Sequence, residues 1–355
     1  TTLAKTFRPN HIFDLENPRD MAVLEQPQLA LENLEGLIMI DEIQRKADLF
    51  PLIRYLVDHH AEQRYLILGS ASSSLKQQSG ESLAGRIGYH FLSGFNISEV
   101  GSHHVNSLWL RGGFPRSFLA ASDENSLLWR TNFVSTFLER DLAVLGRQIP
   151  TAVMYRFWTM LSHYHGQTIN YSELGRSFGI SDKTVKHYIS ILEDTFMVRT
   201  LLPWYANLGK RLVKSPKLYI RDSGILHSLQ GIHTVRDLRT HPKSGASWEG
   251  FALEEISTLL PKRNSELFFY GAHSGVELDL YWQDKGRHYG AEFKYMDAPK
   301  KTKSMFQAIE DLNLSHLWVV YPGEQSYSLT ENISVVPLKD FGTQYFSYYA
   351  KGYKV

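Results

Sequence analysis

The 355-residue chain contains no cysteine, which excludes disulfides, thiolate zinc sites and cysteine nucleophiles. No apolar run approaches the ~18–20 residues of a membrane helix, and no signal peptide opens the chain, so we expect no membrane partner and a cytoplasmic location. The 38 basic side chains nearly balance the 37 acidic ones, so any nucleic-acid surface must be a local patch. The remaining composition, 43% hydrophobic and 21% charged, is typical of a globular protein with two or three domains.

Short apolar runs alternate with helical stretches through the first hundred residues, which predicts βαβ units and a parallel sheet. The strands of this part are expected at residues 11–16, 37–43, 65–70 and 86–92. The later segments are predicted as follows: helices with an RGGFPR turn at 106–146, helices and a hairpin at 150–222, a polar linker at 234–247, and a second α/β block from Trp248 onward.

Two adjacent carboxylates, Asp41 and Glu42, end the apolar strand LIMIDEI. In open α/β sheets, ligands bind at this edge. Asp41 could hold the water shell of a magnesium ion, while Glu42 polarises a water that attacks a γ-phosphate. The alternative is a solvated acidic turn, but the apolar residues before the pair and the second apolar strand ending at Gly69-Ser70 favour the nucleotide site.

These two strands resemble the Walker B strand and the polar-tipped sensor strand of AAA-type ATPases, with Ser70 at the sensor position. The segments ESLAGRI, GGFPR and FLERD resemble signatures of a bacterial and archaeal branch in which the ATPase is fused to a C-terminal domain of unknown function. The resemblance implies ATP, Mg²⁺ and a homo-oligomeric ring, for example a hexamer. Arg86 and Arg140 are candidate γ-phosphate contacts, and an ordinary salt bridge is the alternative for each.

The phosphate-gripping loop G-x-x-x-x-G-K-[ST] is absent from the 355 residues. The opening TTLAKTF resembles the end of that loop and its helix, which commonly read GKTTLAK in the family. The resemblance therefore makes Thr1 the magnesium-binding hydroxyl, with Thr2 beside the cofactor, and we expect one strand and the loop to lie upstream. A chance match at a natural N-terminus is the alternative.

The stretch from residue 169 onward fits a helix-turn-helix followed by a wing hairpin. Residues 171–178 are predicted as the first helix, Gly179-Ile180 as the turn and Ser181 as the N-cap of the second helix. Several side chains of the second helix and the hairpin are expected to meet phosphates or base edges; they are Lys183, Lys186, His187, Lys210, Arg211 and Lys214. Duplex or branched DNA is the expected partner, and protein docking is the alternative.

Carboxylates and a lysine occur in a recognisable order in the last third. Glu249 lies in a predicted helix, Asp279 in a strand, and Glu292 and Lys294 together on one side of the next strand. Asp279 and Glu292 could hold a divalent cation while Lys294 orients a water. Glu277 is expected on the opposite side of its strand from Asp279. The order resembles the PD-(D/E)xK nuclease superfamily, particularly its archaeal Holliday-junction resolvase branch, whose fold also occurs as an inactive binding domain.

We therefore predict an α/β multidomain protein. Its parts are a P-loop ATPase core without its first strand (1–100), a helical lid (101–149), a winged helix-turn-helix (150–225), a linker (226–247), a PD-(D/E)xK-like domain (248–343) and a C-terminal tail (344–355). The expected function is ATP hydrolysis coupled to processing of duplex or branched DNA, with or without metal-dependent cleavage. The alternative is a nucleotide-regulated switch that docks protein partners and carries an inactive nuclease fold.

Overall fold

A computed structural model describes residues 1–69, 79–80, 82–142, 149–205, 212–260, 262 and 264–351. The chain forms two compact units. The first comprises residues 1–92 with 194–196, and the second comprises residues 93–193 with 197–355. Together they confirm the predicted α/β multidomain class. None of the helices in the described ranges is both long and apolar enough to cross a membrane.

The first unit is built on a parallel sheet of three strands in the order β1-β2-β3. Its elements are α1 (Thr2–Lys5), β1 (His11–Asp14), α2 (Pro18–Val23), α3 (Pro27–Leu31), β2 (Gly36–Asp41), a 3-10 turn (Ile43–Lys46), α4 (Leu49–His59) and β3 (Gln63–Ile67). The middle strand β2 is buried from Ile38 to Asp41 because apolar side chains cover it, among them Leu15, Phe50, Ile53 and Leu56. Three of the four predicted strands are thus confirmed.

The fourth predicted strand, residues 86–92, is wrong: these residues form an irregular segment. Apart from the half-buried Ile87, every side chain in it is exposed, so the described residues form no layer that buries one face of a strand here. An apolar run without a pairing partner does not define a strand.

The second unit begins with helices. They are α5 (Ile97–Val100), a 3-10 turn (Ser102–His104), α6 (Val105–Arg111), α7 (Pro115–Phe118), α8 (Asp123–Thr136), a π-helical turn (Phe137–Asp141) and α9 (Thr151–His163). The GGFPR turn after α6 packs against Asp222, whose Oδ2 accepts the N–H of Gly113 at 2.8 Å. Gly112 has a φ of +76°, and a Cβ there would lie 2.1 Å from Asp222 Oδ1, so this turn requires glycine.

Two helices occupy the segment where the helix-turn-helix was predicted. α10 spans Tyr171–Phe178 and ends at Gly179, which adopts the left-handed conformation, and α11 spans Asp182–Asp194. Ser181 Oγ accepts the N–H of Thr184 at 3.2 Å, as an N-cap does. The short strand β4 (Gln167–Thr168) precedes the helices, and the antiparallel pair β5 (Val198–Pro203) and β6 (Lys217–Ile220) follows them.

The rest of the unit carries the helices α12 (Ser223–Gln230), α13 (Val235–Thr240), α14 (Ser244–Leu259), α15 (Lys303–Leu312) and α16 (Phe341–Lys351), with 3-10 turns at Asn264–Glu266 and Leu338–Asp340. The structure has helices where a linker was expected at 226–247. Thr234 and Asp237 form a capping box at the start of α13, so the polar composition of this stretch reflects helix caps. Its apolar side chains Leu229, Ile232 and Leu238 are buried.

A nine-stranded mixed sheet in the order β11-β12-β10-β9-β8-β7-β5-β6-β4 forms the centre of the second unit. Its C-terminal strands are β7 (Leu267–Gly271), β8 (Glu277–Asp284), β9 (Arg287–Phe293), β10 (Leu314–Tyr321), β11 (Tyr327–Thr330) and β12 (Ile333–Pro337). β5 pairs in parallel with β7 through Leu202–Phe268 and Pro203–Phe269. The hairpin strands β5 and β6 therefore continue the C-terminal sheet, which brings Lys217 close to β8.

Candidate functional site

The first candidate site lies at the carboxyl end of β2. Asp41 is the last residue of this strand and is only 5% exposed. The hydroxyl of Thr1, at the start of α1, donates a hydrogen bond to Asp41 Oδ2 at 2.6 Å. The fold thus joins a hydroxyl and a carboxylate that are 40 residues apart, at the edge where parallel sheets bind ligands.

Glu42 follows with a φ of +58° and a ψ of +41°, the left-handed conformation that non-glycine residues adopt rarely. Such backbone strain concentrates at functional sites. The side-chain amide of Gln44 donates a short hydrogen bond to Glu42 Oε2 and fixes the direction of this carboxylate. Sequence reasoning missed Gln44, although its position two residues after the acidic pair is a usable signal.

The other residues predicted for the nucleotide site are placed as follows. Thr2 is exposed in the first turn of α1. Ser70 lies outside the described residues. Arg86 makes a two-bond ion pair with Asp58 of its own unit, at 2.5 and 2.9 Å. Arg140 lies exposed in the π-helical turn of the second unit. Arg86 thus has the ordinary salt bridge that was the alternative to a phosphate contact.

The second candidate site is a buried ion cluster in the C-terminal sheet. The structure brings together Glu249 from α14, Asp279 from β8, Glu292 from β9 and Lys294 directly after β9. Lys294 Nζ lies 2.6 Å from Glu292 Oε1, and the N–H of Phe293 donates to Asp279 Oδ2 at 3.0 Å. The predicted juxtaposition of these four side chains in one block is therefore present in the fold.

Lys217, the first residue of β6, also lies inside this cluster, which was not predicted from the sequence. Lys217 Nζ is 3.2 Å from Glu249 Oε1, 2.5 Å from Glu277 Oε1 and 3.1 Å from Asp279 Oδ1. Because it contacts both Glu277 and Asp279, the expectation that these two side chains face opposite sides of β8 is wrong. Residues i and i+2 of a strand share a face. A lysine that begins the buried strand KLYI is the signal that could have revealed this contact.

Burial shifts the pKa values of two glutamates here. Removal from water, followed by repulsion from Asp279, raises the pKa of Glu249 to about 7 and that of Glu292 to about 8. Burial also disfavours the charged form of Lys217, but interactions with Tyr219, Asp279 and Glu249 outweigh it and hold the pKa of Lys217 well above its ordinary value. Lys217 is therefore a charged ammonium within the sheet.

The candidate DNA-contacting residues in the described ranges are all exposed; they are Lys183, Lys186, His187 and Lys214. Lys210 and Arg211 lie outside the described residues. On the opposite side of α11, Val185, Ile189 and Leu192 are buried. Lys186 Nζ lies 4.9 Å from the ring centroid of Tyr171, which holds its charge near the start of α10.

Three successive segments of the chain match families of known proteins. Residues 1–101 match the family model of an AAA domain, residues 102–236 that of a domain of unknown function (DUF8612), and residues 244–341 that of another domain of unknown function (DUF4143). The predicted AAA-type module fused to a C-terminal domain of unknown function is thus confirmed. The chain belongs to the class of AAA-type ATPase-like fusion proteins.

More particularly, the chain belongs to the same family as two mycobacterial proteins. The uncharacterized proteins Rv2008c of Mycobacterium tuberculosis and Mb2031c of Mycobacterium bovis are each 49% identical to it over 330 residues, which is 93% of this chain and 74% of each relative. Protein VC1899 from Vibrio cholerae, known from a crystal structure, matches over 96% of this chain and 97% of its own at 11% identity and a TM-score of 0.24. A TM-score this low carries no argument about the fold.

Proposed function

We propose that this protein binds and hydrolyses ATP at the carboxyl end of β2, with Asp41, Glu42 and Thr1 as the participating residues. The observation that supports this most directly is the hydrogen bond from the Thr1 hydroxyl to Asp41 Oδ2 at 2.6 Å. A hydroxyl and a carboxylate joined in this way form the oxygen donor set that Mg²⁺ prefers. The match of residues 1–101 to an AAA domain supports the same assignment.

The donor set fits a nucleotide-bound magnesium ion. Thr1 would hold Mg²⁺ directly and Asp41 would hold it through water, and the ion would neutralise charge on the phosphates. Glu42 polarises the attacking water, and Gln44 directs the Glu42 carboxylate.

ATP turnover tests this proposal. The protein is compared with its Asp41→Asn and Glu42→Gln variants. Each variant should lose about 10²-fold or more of kcat while its melting temperature stays within a few degrees of the parent. Asp48→Asn, which changes an exposed carboxylate of the same unit, is the matched control. Parental turnover in both site variants would refute the assignment.

We further propose that hydrolysis is coupled to duplex or branched DNA by a homo-oligomer. The support is the exposed cationic face of α11, with Lys183, Lys186 and His187 opposite a buried apolar face. Binding of a fluorescent branched DNA should weaken steeply as salt rises, and Lys183→Ala with Lys186→Ala should reduce the salt slope by about two. Lys301→Ala, an exposed lysine elsewhere, is the control. Binding that is insensitive to both salt and these variants would exclude this surface.

A second candidate is a nucleotide-regulated switch that docks protein partners. Lys217 favours it, because an ammonium within the carboxylate cluster is typical of a structural ion network rather than a nuclease centre. ATP turnover distinguishes the two candidates: stimulation by branched DNA supports the DNA-coupled enzyme, and turnover that ignores DNA supports the switch.

A further inference from the structure

The carboxylates of the C-terminal cluster already surround a cation, which is the side-chain ammonium of Lys217. Lys217 is 4% exposed, and its ammonium has three N–H donors. Three carboxylate oxygens surround it within 3.2 Å, one each from Glu249, Glu277 and Asp279. Glu249 and Asp279 accept hydrogen bonds from this ammonium, and Glu277 adds an ion pair, all without an external ion.

The same carboxylates are also used by other donors of the protein. The Tyr219 hydroxyl donates to Glu249 Oε1 at 2.6 Å, and the Phe293 N–H donates to Asp279 Oδ2 at 3.0 Å. Lys294 lies 2.6 Å from Glu292 Oε1. A divalent cation needs about six oxygen ligands, so it would have to displace these donors and share the cluster with two ammonium groups.

The donor set therefore does not fit a metal centre of the kind that a PD-(D/E)xK nuclease uses. Across the part of the chain that the structure describes, no group of three or more His, Asp or Glu side chains is arranged to hold a metal ion. Each of the four carboxylates that could do so in this block faces an ammonium instead. The ammonium groups of Lys217 and Lys294 occupy the space that a metal ion would need, so the cluster is chemically unsuited to a metal.

We propose that Lys217 is the permanent cation of this cluster, that it fastens strand β6 to α14 and β8, and that the C-terminal block binds no divalent metal. These ion pairs connect two successive segments of the chain. β6 belongs to the hairpin after the helix-turn-helix, whereas Glu249 and Asp279 belong to the block that follows it. The ammonium thus joins the helix-turn-helix segment to the C-terminal sheet, beside the backbone pairing of β5 with β7. This inference is independent of ATP hydrolysis.

Manganese binding tests the absence of a metal. Mn²⁺ is titrated, without nucleotide, into the full chain carrying Asp41→Asn, so that the N-terminal candidate site does not contribute, and free Mn²⁺ is followed by electron paramagnetic resonance. We expect no stoichiometric site tighter than about 1 mM. One bound equivalent that disappears when Asp279→Asn is added would overturn the proposal.

Thermal unfolding tests the fastening role. Lys217→Met leaves the buried Asp279 and the partly buried Glu249 without their cation and should lower the melting temperature by about 5 °C or more. The matched control is Lys214→Met, an exposed lysine three residues earlier, which should change the melting temperature by about 1 °C or less. If Lys217→Met unfolds the protein, the fastening role is supported and the manganese titration of the Asp41→Asn protein still tests the metal. Equal melting temperatures for the two variants would overturn the fastening role.

Discussion

Raising the pH from 6.5 to 8.5 should destabilise the second unit through its buried glutamates. Burial, which is the largest cause, and repulsion from Asp279 raise the pKa of Glu292 from 4.5 to about 8. The folded state therefore keeps a proton that the unfolded state has released. The free energy of unfolding falls as the pH rises from about 4.5 to about 8, and it levels off above that.

The magnitude follows from 1.36 kcal/mol per pKa unit. Between pH 6.5 and 8.5, Glu292 should remove about 2 kcal/mol from the free energy of unfolding. Burial also raises the pKa values of Glu249 and Glu255 to about 7, and each should remove about 1 kcal/mol more. A total of about 3–4 kcal/mol is a large part of the 5–15 kcal/mol typical of folded proteins.

The pH window is chosen to separate these glutamates from the buried histidines. Desolvation lowers the pKa values of His165 and His227 to about 3 and that of His316 to about 4. These histidines destabilise the fold as the pH falls toward and below about 6.5, where the unfolded histidine takes up a proton. Each unfolded histidine is still about half protonated at pH 6.5, so the three together add back about 1 kcal/mol by pH 8.5, and the parental free energy of unfolding should fall by about 2–3 kcal/mol.

The assay measures the free energy of unfolding in urea at several pH values. It compares the parent protein with the Glu292→Gln variant and with the control variant Glu331→Gln, which changes an exposed glutamate. Glu292→Gln should flatten the fall in stability by about 2 kcal/mol over the window, whatever its effect on absolute stability. Glu331→Gln should reproduce the parental slope. A parental stability that does not change, or that rises, between pH 6.5 and 8.5 would refute the reasoning.

Three further outcomes are expected. Gln44→Ala should lower kcat for ATP by about 10-fold with KM unchanged, because Gln44 only directs the Glu42 carboxylate; a change in KM alone would contradict this role. Gly112→Ala should cost about 1–3 kcal/mol more in urea unfolding than Gly101→Ala, because both have positive φ but only Gly112 faces Asp222; equal costs would exclude the clash. Glu254→Ala should lower stability by about 3–5 kcal/mol, because it removes the carboxylate that lies 2.5 Å from the buried guanidinium of Arg199 and also pairs with Arg221, and an unchanged melting temperature would show that these ion pairs are dispensable.

Local signals in the sequence determined much of the fold. The bounds of α10 and α11 follow from residues adjacent in sequence, since Gly179 ends one helix and Ser181 caps the next. The position of Asp41 at the end of a buried strand also follows locally, because an unbroken apolar run precedes it. Caps and apolar periodicity act within a few residues, so a single sequence displays them.

The candidate sites themselves were decided by tertiary structure. Thr1 meets Asp41 only because α1 begins at the edge of the sheet where β2 ends. In the sequence, Lys217 is one of several basic residues in a hairpin. The pairing of β5 with β7 places β6 in the C-terminal sheet, and Lys217 therefore lies next to Asp279, which is 62 residues away. Conversely, residues 86–92 have the composition of a strand but no layer to pack against. A sequence specifies which groups are present and their local order, whereas the pairing of distant strands sets which charges meet, and therefore whether a carboxylate cluster holds a metal or a lysine.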